Sequence, residues 1–201
     1  MGYSNFKNFR QVRSKFDITI RHSNLLTAIV PIEPSDWLKK TIELAYSVPL
    51  SNEKVKSERL ISPILTEVHE LHKGYLTLFS GEELNVQPEN DLNGACDFFF
   101  SSVPNAYILE SPIVSLVEAK DEDMDYGLAQ CTAQMIGAQI FNEQAGNPTP
   151  NIWGCSTTAG EWKFLQLSDN NLHINISSFY VNDLPILLGA FDQVFKNILA
   201  N

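Results

Sequence analysis

A chain of 201 residues with 44% apolar and 19% charged side chains can bury one sizeable core and is too apolar to stay disordered. No apolar run approaches the roughly 20 residues of a membrane span, and the opening MGYSNFKNFRQVRSKF lacks the apolar stretch of a secretion signal. The expectation is a single cytoplasmic domain, 1–201, with a basic and partly helical N-terminal extension over about 1–50 and no membrane partner. The net charge of -10 is unevenly spread: through Lys73 there are 11 Lys and Arg against 8 Asp and Glu, but from Gly74 onward 3 against 16. Lys120, Lys163 and Lys196 are the basic residues of that second part, whose charge argues against tight unaided binding to a polyanion.

In chain order, the basic segment with Lys7, Arg10, Arg13, Lys15 and Arg21 leads into an apolar, strand-like run from Leu25 to Ile32. Trp37, Ile42, Leu44 and Ala45 then recur at helical spacing behind Ser35 or Asp36 as an N-cap. A second helical pattern from Asn52 to Leu78 contains Pro63, which predicts a kink or a fresh start after Ser62. Leu84 to Val86 reads as a short strand, Gly94 to Phe100 as an aromatic-rich one, and Pro112 to Lys120 as its hairpin-like partner. Tyr126 to Asn142 predicts a helix. The loop Ala145 to Pro150, three short strands over 151–157, 162–167 and 172–176, and a helix from about Leu184 to Leu199 complete the chain.

Side chains alternate along a strand, so Val114, Leu116, Glu118 and Lys120 are expected on one face and Ile113, Ser115, Val117 and Ala119 on the other. An ionised pair closing an apolar run is expensive unless it sits at a rim or coordinates something. Asp97, between Cys96 and three phenylalanines, is the matching oddity of the preceding strand, and antiparallel pairing brings it beside Glu118. Two converging carboxylates push one pKa upward unless Lys120 or a divalent cation compensates, and such hard oxygens suit magnesium or manganese.

Asp97 followed at a gap of twenty by Glu118-Ala119-Lys120 resembles the PD-(D/E)xK, or restriction-endonuclease-like, nuclease superfamily, over roughly Glu58 to Leu167. The resemblance implies an α/β fold with a central mixed β-sheet flanked by helices. It also implies phosphodiester hydrolysis in nucleic acid, DNA foremost, with magnesium or manganese held by Asp97, Glu118 and the Ala119 carbonyl. Lys120 then orients the attacking water or stabilises the transition state. Glu58 looks like the helical acid of that family, with Glu67 as the alternative, and Gln130 like its polar helical position, with Gln134 one turn later. Cys96 stands where the family has a proline. The last three strands look like the tail of nuclease domains that open type I restriction motor subunits.

The remaining features have plainer expectations. Lys7, Arg10, Arg13, Lys15 and Arg59 are the candidate phosphate-binding surface, to be completed by a helper protein if the acidic second part weakens binding; the oligomeric state is open, a homodimer being one arrangement. A catalytically silent interaction module working with a partner is the competing reading. Asp121, Glu122, Asp123 and Asp125 read as an acidic helix start, His69 and His72 as surface residues, and Trp153, Trp162 and Phe164 as sheet core. Gly127 and Gly137 suggest close helix-to-sheet packing, and Cys96, Cys131 and Cys155 read as buried free thiols.

Overall fold

The computed structural model describes residues 2–200. They form an α/β fold in which one mixed sheet is flanked by helices on both faces. The strands are β1 (Thr19–Ser23), β2 (Thr77–Ser80), β3 (Phe98–Ser101), β4 (Ile113–Ala119), β5 (Ile152–Thr157), β6 (Glu161–Ser168), β7 (Asn171–Asn175) and β8 (Phe179–Tyr180). They lie in the order β1-β7-β6-β5-β4-β3-β2, with β8 on β6; β1–β7 and β4–β5 are parallel and the rest antiparallel.

The helices are α1 (Phe9–Phe16), α2 (Asp36–Ala45), α3 (Glu53–Lys56), α4 (Ser62–Leu71), α5 (Met124–Gln144) and α6 (Leu184–Leu199), with a π-helical turn, Ser57–Ile61, joining α3 to α4. On one side of the sheet Leu38 and Ile42 of α2, Ile64 and Leu65 of α4 and Phe191 and Phe195 of α6 pack on Phe98, Phe100, Val117, Trp162 and Phe164. On the other, Val12 of α1 and Leu128, Cys131 and Met135 of α5 pack on Phe99, Leu116, Leu165 and Leu172. The β4–α5–β5 crossover, which two parallel neighbours require, thus lays a helix of small residues across the middle of the sheet. At Gly154 of β5 an added Cβ would stand 2.4 Å from the Met135 sulfur, so glycine there lets α5 sit close.

Several expectations are corrected. Leu25 to Ile32 is not a strand: it crosses α6, with Ile32 N–H donating to Pro185 O at 2.9 Å and Val30 O resting where Gly189 has no Cβ. Pro31 withholds a ladder donor there. The N-terminal edge strand is instead Thr19–Ser23, mostly exposed and too polar to show alternation. The second helical pattern ends at Leu71, and Thr77–Ser80 is the strand beside β3; Leu84–Val86 belongs to a loop with isolated bridges. The register of β3 on β4 slips between Phe100 and Ser101, so Ser101 faces Ile113 and Val114 is skipped. That bulge turns Val114 to the Val117 side and Ile113 to the Leu116 side, reversing their expected faces. His72 is buried, its ring 5.2 Å from that of Phe195. Gly137 faces Tyr3 rather than the sheet.

Other expectations hold. The three cysteines are free and buried, and Trp153, Trp162 and Phe164 lie in the core; Pro63 is the second residue of α4, which runs on from the π-helical turn without a break. No helix among the described residues is long and apolar enough to cross a membrane. Ser35 is the N-cap of α2: its Oγ accepts from Leu38 N–H at 3.1 Å and donates to Glu67 Oε2 at 2.7 Å, while Glu67 Oε1 accepts from Ser35 N–H at 2.7 Å. Glu67 is therefore engaged in clamping α4 to the start of α2. Replacing Ser35 with Ala should lower unfolding free energy by about 1–2 kcal/mol in urea titrations, because it removes both the cap and the carboxylate's donor.

Candidate active site

The site lies at the end of β4 that faces the start of α5. β4 is buried throughout and ends on Glu118, which is 1% exposed. Asp97 precedes β3 by one residue, and its Oδ2 accepts from Ala119 N–H at 2.8 Å, which fixes the carboxyl beside the end of β4. Lys120, just past the strand, folds back so that its Nζ lies 2.5 Å from Glu118 Oε1. From α5, Gln134 Nε2 donates to Glu118 Oε2 at 2.6 Å. Both oxygens of this buried carboxyl are thus engaged, one by an ammonium and one by an amide.

The charge here is out of balance. Burial, and then the neighbouring Asp97, push the Glu118 carboxyl up to about 8, against the pull of Lys120 and Gln134. Burial also raises Asp97, although the Ala119 N–H and Lys120 oppose it. Burial works against the Lys120 ammonium, but Glu118, Glu53 and Asp97 outweigh it and its pKa rises. Lys120 is ion-paired with Glu118 and also nears Glu53, while half-buried Asp97 adds a second carboxyl beside Glu118, so Glu118 holds its proton toward neutrality.

The residues expected from sequence are partly brought together. Asp97, Glu118, Ala119 and Lys120 meet. Gln130 is buried, but its Oε1 makes no hydrogen bond among the described residues, and Gln134 is the α5 amide that touches Glu118. The two glutamines are four apart on one helical face, and nothing in the sequence ranks one over the other. Glu58 is exposed and pairs with Lys54 at 3.2 Å. The acid that nears the centre from that helical stretch is Glu53, its Oε2 4.0 Å from Lys120 Nζ. Five residues along a helix with 3.6 per turn reach a different face, which separates the two glutamates.

Ser156 and Tyr126 were not expected at the site, whereas Gly127 gives the close helix-to-sheet packing expected of it. Ser156 is opposite Glu118 in the parallel register, fully buried, with its Oγ unpartnered among the described residues. An added Cβ on Gly127 would stand 2.2 Å from that Oγ and 3.0 Å from Lys120 Cγ, so glycine lets the first turn of α5 lie directly on the site. Tyr126 places its ring centroid 5.1 Å from Lys120 Nζ and 4.2 Å from Lys7 Nζ. Lys56 pairs with Asp121 at 2.6 Å on the rim, and Asp123 caps α5 by accepting from Tyr126 N–H. Of the expected phosphate-binding residues, Lys7 adjoins the site, Lys15 is held by Asp91 at 2.7 Å, and Arg10, Arg13 and Arg59 are exposed.

Among the described residues no group of three or more His, Cys, Asp and Glu side chains is arranged to hold a metal ion; Asp97 and Glu118 offer two carboxylates. The direction of the shifts gives a test. Glu118 binds its proton more tightly folded than unfolded, so its contribution to stability is full below the ordinary value of 4.5 and is lost as pH rises toward about 8. In EDTA, the melting temperature of Glu118→Gln relative to wild type should therefore climb between pH 5 and 8. A constant difference across that range would refute the retained proton.

Compared with known proteins, the chain matches no family model and no curated sequence, so the reading of this site rests on its own residues.

Proposed function

We propose that the chain is a restriction-endonuclease-like, metal-dependent nuclease of the cytoplasm, hydrolysing phosphodiester bonds in nucleic acid, DNA foremost, at Asp97, Glu118 and Lys120. The observation that carries this reading is the meeting of two under-neutralised carboxyls and one lysine at the end of β4. The donor set fits a hard cation: magnesium keeps several waters and takes one or two carboxylates, which is what Asp97 and Glu118 supply, with the Ala119 carbonyl as a further oxygen. When bound, magnesium or manganese lowers the pKa of a water and offsets charge on the phosphoryl oxygens.

The chain's own residues have separable tasks. Gln134 holds one oxygen of Glu118 and so fixes the plane of the carboxyl. Lys120, 11% exposed and close to Glu118, is the donor able to reach from the buried carboxyl to a phosphate oxygen or an attacking water at the rim. Gln130 brings a buried, unpartnered amide oxygen to the same face. The Ala119 N–H keeps Asp97 aimed at Glu118. With most of the acidic residues in the second part of the chain, nucleic acid is held by N-terminal basic residues, with a partner protein or a second copy supplying the rest.

The competing reading, a catalytically silent interaction module, is favoured by one observation: Lys120 and Gln134 already satisfy both oxygens of Glu118. Plasmid and single-stranded substrates incubated with magnesium or manganese decide between the two. Asp97→Asn and Lys120→Gln should each cut the rate at least about a hundredfold, with melting temperatures recorded alongside. Magnesium should also raise the melting temperature of the wild type and leave that of Asp97→Asn unmoved. No cleavage of any substrate, with no response to the metals, establishes the silent module instead.

A further inference from the structure

The site does not end at Lys120. Lys7 Nζ donates to the Tyr126 hydroxyl at 2.9 Å and lies 4.2 Å from the ring centroid, while Lys120 Nζ lies 5.1 Å from the same centroid. At most about 9 Å separates the two ammonium groups, the two centroid distances laid end to end. Tyr126 is itself anchored, its hydroxyl donating to Ser4 O at 3.1 Å. Tyr3 and Phe6 are buried in the core beside α5, and Tyr3 N–H donates to Asn93 O at 3.0 Å. The position of Lys7 is therefore built by the fold.

From Lys7 the chain enters α1, whose Arg10 and Arg13 are three apart on one helical face, both exposed. α1 runs beside α5 in the same direction: Lys7 meets Tyr126 in the first turn of α5, and Phe16 and Ile18 line one cleft with Ile136, Gln139 and Ile140 further along it. A basic line thus starts at the catalytic lysine and leads away from it. Asp121, Glu122, Asp123 and Asp125, in the stretch between Lys120 and Tyr126, are all exposed and repel a phosphate chain, and Lys56 is neutralised by Asp121.

We infer that the N-terminal segment is the substrate arm of this site: Lys7, positioned by Tyr126, takes the backbone phosphate next to the one over Lys120, and Arg10 and Arg13 take the phosphates that follow. The inference rests on the nuclease reading and adds to it the path of the strand. Phosphate contacts of this kind set register and affinity without reading bases.

The test is fluorescence anisotropy of a labelled oligonucleotide with the full chain in EDTA, over a series of salt concentrations, beside the cleavage assay. The triple variant Lys7→Ala, Arg10→Ala, Arg13→Ala should bind at least tenfold more weakly than wild type, and the slope of log affinity against log salt should shrink by about 2. Lys7→Ala alone should shrink it by about 1, raise KM more than it lowers kcat, and be repaired by Lys7→Arg. Lys39→Ala with Lys40→Ala, on α2, should bind as wild type does, and circular dichroism verifies that each variant is folded. A triple variant with wild-type affinity and slope overturns the arm, as does a wild type that binds no oligonucleotide at any salt concentration. If Lys120→Gln loses cleavage while the triple variant binds normally, the arm fails and the nuclease stands. If the arm residues govern binding and nothing is cleaved, the nuclease fails and the arm stands.

Discussion

Two carboxyls share one ammonium at the end of a fully buried strand, and this imbalance is the constraint around which the site is arranged. A Glu118 side chain with 1% exposure is tolerated because Lys120 and Gln134 each take one of its oxygens. Asp97 beside it has no lysine ion pair among the described residues and is held by the Ala119 N–H, so the pair favours keeping a proton.

α5 closes over this strand end. Its small residues, with Gly154 beneath and Gly127 above Ser156, bring it close enough for Gln134 to reach Glu118 and for Tyr126 to meet both Lys120 and Lys7. The crossover that parallel pairing of β4 and β5 demands is the same helix that supplies the amide, the aromatic ring and the close-packed first turn.

The centre was legible where chemistry contradicts its surroundings: a lone aspartate before a phenylalanine run, and a Glu-Ala-Lys closing an apolar strand, are costly unless used. Antiparallel pairing of neighbouring segments then placed Asp97 by Glu118, as the hydrogen bond to Ala119 N–H bears out. What stayed hidden depends on contacts remote in sequence. Ser156 faces Glu118 only through the β4–β5 register, and Glu53 rather than Glu58 approaches because of the way the 53–71 stretch is seated. Lys7 was singled out by its charge alone; its contact with Tyr126 spans 119 positions. In the scaffold, β1 escaped notice because an edge strand with exposed polar side chains carries no alternation, and Leu25 to Ile32 misled because an apolar segment packs on a helix as readily as on a sheet.

Asp97, Glu118, Lys120, Tyr126 and Gln134 all come from residues 97–134, one antiparallel pair followed by one helix. The centre is therefore assembled from neighbouring pieces of chain, with short loops to close and little entropy spent in closing them. The far side of the sheet, where β1 and β7 attach, supplies none of these five residues. Lys7, Glu53 and Ser156 come from outside this stretch, and Lys7 requires the beginning of the chain to return across the molecule.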